Sequence, residues 1–264
     1  MKRIEYFIRP TQRQLFKILC KMFGDKKIIA SDKHFVYVKG EAPIMLIAHL
    51  DTVHKEPVQV ICASKDRTVL MSPQGIGGDD RCGVYGIVKA YELSVKKPHL
   101  LFTCDEEIGG VGADYFCHEH QNCKLPLELD NLKCIVEIDR RGSNDAVYYD
   151  CANTQFEDYI TSKGFKTAYG SFSDISIIAP ELGVAAVNLS SGYYNAHTQH
   201  EYINLTELNQ IIRRVVEIIN DTMKKNFPKY EYVDVDLYFQ GDERSCTKFS
   251  SEWYQSKFYK TSKR

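Results

Sequence analysis

Histidines and carboxylates recur directly after apolar segments of this 264-residue chain. The first pair, His49 and Asp51, follows the apolar run 43–48, and this pattern is typical of the start of a metal site. The other members of the set lie in four later segments: Asp79 and Asp80, Glu106 and Glu107, Asp139, and His197. Such a concentration of carboxylates is unfavourable without cations. Zinc accepts mixed nitrogen and oxygen ligands, whereas magnesium and calcium sites rarely contain histidine, so a two-metal hydrolytic centre is the economical interpretation.

Alternating apolar and amphipathic segments predict the elements that position these residues. Strands are predicted at 35–38, 44–48, 99–103, 134–139, 146–149 and 184–189, a hairpin from 58–61 and 68–71, and a further strand at 233–238. Helices are predicted at 11–23, 84–93, 112–120, 154–163, 173–182 and 205–223. This order predicts an α/β fold, a three-layer α/β/α sandwich with a mostly parallel, mixed central sheet. Ligands bind at the carboxyl ends of strands in such sheets, so the polar residues are expected to converge there.

Composition narrows the class of partner. The formal net charge of −1 argues against nucleic acid, and no apolar run is long enough to predict a membrane span. The N-terminus is charged and lacks a signal-like apolar region, which predicts a cytoplasmic location. The nine cysteines, an odd number, are therefore predicted to be reduced thiols. Residues 1–228 are expected to form one catalytic domain, and 229–264 a C-terminal extension that is partly a flexible basic and aromatic tail.

Five segments carry motifs in a recognisable order. They are HLDTV at 49–53, GIGGDDRCG at 75–83, CDEEIGGVGA at 104–113, EIDRRG at 137–142 and NAHTQHE at 195–201. Together they resemble the co-catalytic zinc exopeptidases and deacylases, which include peptidase T, acetylornithine deacetylase and succinyl-diaminopimelate desuccinylase. The resemblance covers most of the predicted domain and implies the zinc exopeptidase fold.

The resemblance also implies a role for each matched residue. It implies two zinc ions, replaceable by cobalt or manganese, with His49 and Asp139 on one, Glu107 and His197 on the other, and Asp79 bridging both. Asp51 would orient His49 through the far ring nitrogen. Glu106 would be the general base that takes a proton from a metal-bridging water and delivers it to the leaving nitrogen.

Other polar residues have competing interpretations. Asp80 is expected to cap the helix that follows it rather than bind metal. Ser173 or Asp174 is expected to cap the helix predicted at 173–182. The resemblance offers Ser190, Ser191, Gly192 and Arg140 as substrate contacts. His54 is expected at the rim of the site and His200 on the surface.

The family usually inserts a lid or dimerisation domain of about 100 residues before the last ligand, close to the size of a small domain. Here Asp139 and His197 are separated by 197 − 139 = 58 residues, which leaves no room for one. The expected function is a zinc-dependent metallo-exopeptidase, an aminopeptidase or a di- or tripeptidase, acting on small peptides. The alternatives are an N-acyl amino acid deacylase and a non-catalytic binding protein, and the oligomeric state stays open.

Overall fold

The computed structural model describes residues 3–24, 28–31 and 33–235. The helices are α1 Glu5–Ile8, α2 Gln12–Phe23, α3 Gly78–Leu93, α4 Val111–Gln121, α5 Thr154–Ser162, α6 Ile175–Leu182 and α7 Leu205–Thr222. The strands are β1 Ile28–Ser31, β2 Phe35–Val38, β3 Ala42–His49, β4 Cys62–Ala63, β5 Val69–Met71, β6 Pro98–Thr103, β7 Cys134–Arg140, β8 Asp145–Val147, β9 Lys166–Thr167, β10 Ala186–Ser190, β11 Tyr193–Tyr194 and β12 Tyr202–Asn204. None of the helices in these ranges is long and apolar enough to cross a membrane.

The large sheet has eight strands in the order β1-β2-β6-β3-β7-β10-β8-β9. Its centre is parallel, because β3 pairs in parallel with both β6 and β7, and β10 pairs in parallel with β7. Antiparallel pairs join β1 to β2, β2 to β6, and β10 to β8. Strand β8 pairs in parallel with β9, so four of the seven strand pairs described in this sheet are parallel, and the predicted mostly parallel, mixed sheet is confirmed.

Side chains of the central strands alternate between two cores, as the two-residue period of a strand requires. In β3, Ile44 and Leu46 point to one core and Met45 and Ile47 to the other. Helices α2, α3, α5 and α7 cover the first face of the sheet, and α4 and α6 cover the second. The structure is therefore the predicted three-layer α/β/α sandwich.

Most predicted elements lie within two or three residues of the observed ones, and two differ more. Helix α3 starts at Gly78, well before the predicted start at 84, but it is kinked at Asp79 and Asp80, whose φ and ψ are not helical, so its regular part follows Asp80. The hairpin strand predicted at 58–61 is instead Cys62–Ala63, paired with Val69–Met71. A tight turn explains this shift, since the Arg67 amide donates to the Ser64 carbonyl and the strand that pairs with Val69–Met71 must end directly before the turn.

A small antiparallel sheet, β11-β12-β5-β4, joins this hairpin to the two strands that flank His197. Beyond α7, Tyr230 packs into the large core, where it contacts Phe156 and Tyr159. The predicted strand at 233–238 and the predicted tail extend into residues 236–264, which lie outside the described residues.

Candidate metal centre

Three neighbouring parallel strands end at one edge of the large sheet, and each brings a part of one polar cluster. Strand β3 ends at His49, β7 carries Asp139 next to its end, and the loop after β6 carries Glu106 and Glu107. The strand order β6-β3-β7 places these ends side by side. The convergence expected from the sequence follows directly from this order.

Asp79 lies between the two histidines of the cluster. Its Oδ1 is 3.3 Å from Nε2 of His49, and its Oδ2 is 3.1 Å from Nε2 of His197. Each histidine also faces a second carboxylate: Nε2 of His49 is 3.4 Å from Oδ1 of Asp139, and Nε2 of His197 is 3.2 Å from Oε1 of Glu107. The structure thus brings together all five residues that the sequence assigned to metal binding.

Asp51 connects three members of the site. Its Oδ1 lies 3.1 Å from Nδ1 of His49 and accepts a hydrogen bond from the Glu106 amide at 3.1 Å. Its Oδ2 accepts from the Glu107 amide at 3.0 Å. A proton on Nδ1 leaves Nε2 of His49 with a free lone pair toward the cluster. Asp51 therefore fixes the two glutamates as well as the histidine, and only the histidine contact was predicted.

Burial and the charges of neighbouring carboxylates together set the pKa values of the cluster. Burial, followed by the charge of Asp79, raises the pKa of Asp139 well above its usual range. Burial also raises the pKa of Glu106 to about 7, against the opposing charge of His49. The Asp79 carboxylate raises the pKa of His197 to about 9. These directions are those of negative charges confined together.

The donor set fits divalent metal ions. Oε1 of Glu107 and Oδ1 of Asp139 are buried and have no hydrogen-bond partner among the described residues, although each faces an imidazole nitrogen. Buried carboxylate oxygens are unfavourable in that state unless they bind a cation. Two imidazoles with three carboxylates are a ligand set that zinc accepts.

Asp80 is the alternative to Asp79, and the ligand atoms of His49, Asp80 and Asp139 do lie within 4.8 Å of one another. However, Oδ1 of Asp80 accepts from the Gly83 amide at 2.8 Å, and Oδ2 accepts from the His49 amide at 3.3 Å. Both oxygens are therefore occupied by the backbone, and the first contact is the expected helix cap.

The residues offered as substrate contacts are partly engaged within the chain. Ser190 and Ser191 are fully buried, and their hydroxyls donate to the carbonyls of Arg141 and Arg140, respectively. Gly192 adopts a φ of 82°, which favours glycine. Nη2 of Arg140 donates to the Tyr169 carbonyl at 2.9 Å.

Asp174 does not cap α6, contrary to the expectation for this segment. Its side chain makes no cap hydrogen bond and instead accepts one from the Thr103 hydroxyl at the end of β6. The neighbouring Ser173 donates to Glu137, a buried strand residue. These residues form a polar layer beneath the cluster, together with Asn188, whose Oδ1 accepts from the Asp139 amide at 2.9 Å.

Sequence reasoning missed Glu201, the last residue of the fifth motif. Its side chain is fully buried and accepts hydrogen bonds from the Gly77 and Asp79 amides and from Nε2 of His54. The sequence offered one indication of its importance, since Glu201 is a carboxylate four residues after His197 within the motif at 195–201. His54 lies beside the site as expected, where it contacts the buried carboxylate of Glu201. His200 is exposed, also as expected.

An α/β/α sandwich with this cluster at the carboxyl ends of its parallel strands defines a metal-dependent hydrolase. Residues 35–219 match the model of peptidase family M28, and the chain belongs to this family. It is thus a metallopeptidase of the exopeptidase type, as the motifs predicted. No curated protein matches the chain by sequence.

Solved structures share the fold at low sequence identity. Aminopeptidase PepT of Bacillus cereus is 15% identical with a TM-score of 0.62, over 84% of this chain and 97% of that chain. A tripeptidase of Staphylococcus aureus is 14% identical with a TM-score of 0.62, over 83% and 96%. An aminopeptidase of Desulfurococcus kamchatkensis is 15% identical with a TM-score of 0.60, over 82% and 93%. These likenesses confirm the predicted fold class.

Proposed function

We propose that the chain is a cytoplasmic two-zinc aminopeptidase that acts on short peptides. His49 and Asp139 would hold one zinc, Glu107 and His197 the other, and Asp79 would bridge them. The observation that carries the proposal is the position of Asp79, whose two carboxylate oxygens face the two histidines separately. Membership of peptidase family M28 supports the reaction class.

The spacing of the donor atoms supports this assignment. A tetrahedral zinc ion with ligands at about 2.0–2.2 Å places neighbouring ligand atoms roughly 3.3–3.6 Å apart. The four imidazole-to-carboxylate distances around Asp79 are 3.1, 3.2, 3.3 and 3.4 Å. The donors therefore need little movement to share two ions.

When bound, the pair of zinc ions would polarise the scissile carbonyl and acidify the nucleophilic water. Glu106 would take the proton of that water and pass it to the leaving nitrogen. Its carboxylate lies at the cluster, 3.9 Å from Nε2 of His49, and its backbone is held by Asp51. The chain thus contributes an oriented proton carrier next to the ligands.

Exposure indicates where a peptide enters. The His197 side chain is 53% exposed, whereas that of His49 is 1% exposed. The side chains of Asp51 and Asp139, which both face His49, are 12% and 9% exposed, so the His49 side of the cluster is buried. The substrate would approach over His197, with its scissile amide facing Glu106.

Substitution of Glu106 tests the proposal. Glu106→Gln removes the proton carrier and keeps the shape, so the variant should bind about two zinc ions and lose turnover of a peptide library by at least about 100-fold. Zinc content is measured by atomic emission, and hydrolysis by mass spectrometry of the products. The matched control is Glu181→Gln. Glu181 pairs with His120 away from the cluster, so this variant should keep full activity.

Two results would overturn the two-zinc mechanism. One is a wild-type protein that binds no zinc when purified with zinc present. The other is a Glu106→Gln variant with wild-type turnover. Cleavage of N-acyl amino acids in place of peptides would assign the site to a deacylase instead.

A further inference from the structure

Glu201 is a buried carboxylate to which three donors point. Oε1 accepts from the Asp79 amide at 2.9 Å, and Oε2 accepts from the Gly77 amide at 2.9 Å and from Nε2 of His54 at 2.8 Å. The residue is 0% exposed, and no lysine or arginine of the described residues lies within 4 Å of its oxygens. These three N–H groups therefore supply the stabilisation of its charge.

The loop that carries Asp79 is fitted closely against these partners. A Cβ on Gly75 would lie 2.2 Å from Cε1 of the His54 ring. A Cβ on Gly78 would lie 2.6 Å from Cβ of Tyr193 and 3.2 Å from Oε1 of Glu201. The absence of side chains at these glycines lets the loop backbone approach the carboxylate. Glu201 then holds this backbone through the amides of Gly77 and Asp79.

Glu201 also belongs to the segment that carries His197. The Glu201 amide donates to the Thr198 carbonyl at 3.2 Å, and the Thr198 hydroxyl donates to the Asn195 carbonyl at 2.8 Å. A compact turn thus links the histidine to the carboxylate. The Glu201 side chain therefore joins the Asp79 loop to the His197 loop. Oδ2 of Asp79 and Nε2 of His197 lie 3.1 Å apart.

We propose that Glu201 is the positioning residue for Asp79 and His197, and that His54 fixes Glu201 through its third hydrogen bond. The proposal rests on the two-zinc function above, in which Asp79 contacts both ions. Loss of Glu201 should therefore weaken both zinc sites together, since the bridging carboxylate moves. Loss of a ligand to one ion, such as Glu107, should weaken mainly that ion.

Glutamine at position 201 tests the central residue. An amide keeps one acceptor oxygen but turns an NH₂ group toward N–H donors, so Glu201→Gln cannot satisfy all three. We expect zinc affinity at both sites to fall about 10–100-fold, the usual effect of changing a group that orients metal ligands. Affinity is measured by competition with a chromophoric chelator, and the folded state of the metal-free protein by thermal unfolding.

His54 provides a matched series that does not alter the buried carboxylate. His54→Gln keeps an N–H donor close to the position of Nε2, whereas His54→Leu removes the donor. We expect His54→Leu to lose about tenfold in affinity at both sites, and His54→Gln to recover most of it. His120→Gln changes a second histidine–glutamate pair, His120 with Glu181 at 2.9 Å, and should leave zinc affinity unchanged.

The outcomes separate this inference from the proposed function. Wild-type protein that fails to bind two zinc ions refutes the two-zinc function itself. Wild-type protein that binds two zinc ions, with His54→Leu and His54→Gln equal to it in affinity, refutes only the positioning role. A loss in His54→Leu that is confined to the thermal stability of the metal-free protein also refutes it, because a positioning role requires a change in affinity.

Discussion

Acidification should destabilise the fold through His99, a residue remote from the metal cluster. His99 is buried at the start of β6, and its Nδ1 accepts hydrogen bonds from the Tyr37 hydroxyl and the Gly40 amide. Burial lowers the pKa of His99 to about 4, with the Glu128 charge opposing and the Lys39 charge reinforcing the shift. The folded protein therefore holds this imidazole neutral.

The size of the effect follows from the two pKa values. The ordinary value is 6.5 and the folded value is about 4, and each pKa unit corresponds to about 1.4 kcal/mol. Between these values the unfolded chain binds a proton that the folded chain does not. His99 thus contributes fully to stability above pH 6.5, and we expect about 3 kcal/mol of unfolding free energy to be lost by pH 4.

The assay is urea unfolding of the metal-free protein at intervals between pH 7 and pH 4, with a chelator present. Glu106, whose pKa is raised to about 7, titrates in the same range, so the measured quantity is the difference between wild type and His99→Asn. Asparagine keeps an acceptor near the position of Nδ1 and does not titrate. The wild type should lose about 3 kcal/mol more than the variant. Parallel loss in the two proteins would refute this account of His99.

Two further predictions concern the site and the helix behind it. Asp51→Asn should lower zinc affinity about 10–100-fold, and turnover with it. The reason is that one of the three N–H groups that donate to Asp51 would then face the NH₂ group of the asparagine. Wild-type zinc affinity in a calorimetric titration of the variant would contradict this prediction. Gly83→Ala should cost more than about 2 kcal/mol in chemical unfolding, since its Cβ would lie 2.0 Å from the Ile138 carbonyl oxygen. The control in the same helix is Gly86→Ala, whose Cβ would meet nothing closer than 3.7 Å. This variant should be neutral or stabilising by up to about 1 kcal/mol. Equal losses of unfolding free energy in the two variants would argue against the steric explanation.

Patterns local in the sequence predicted the framework of the molecule. The apolar segments before His49 and Asp139 have the length and composition of strands buried on both faces, and the amphipathic period of 205–223 is that of a helix packed on a sheet. The convergence of the ligands followed because parallel strands have their carboxyl ends at one edge. Each of these inferences needs only neighbouring residues and a general rule of sheet architecture.

The contacts that the sequence could not predict join distant segments. His54 and Glu201 are 147 positions apart, and no local pattern indicates that they meet. Asp174 stands where a helix cap is expected, yet it pairs with Thr103, 71 residues earlier. The β4 strand was misplaced because a turn fixed its register, and apolar content alone does not encode register.

The strand order β6-β3-β7-β10 has a consequence for biosynthesis. The central strand β3 is made before both of its neighbours, since β6 starts 98 − 42 = 56 residues later and β7 starts 134 − 42 = 92 residues later, and the segment with His197 follows later still. Pairing of such separated segments is slow relative to local helix formation. A nascent chain therefore exposes His49 and Asp79 before their partners exist, and the five proposed ligands can come together only after the segment with His197 has left the ribosome. Capture of metal by all five residues should accordingly follow the synthesis of the whole segment from His49 to His197.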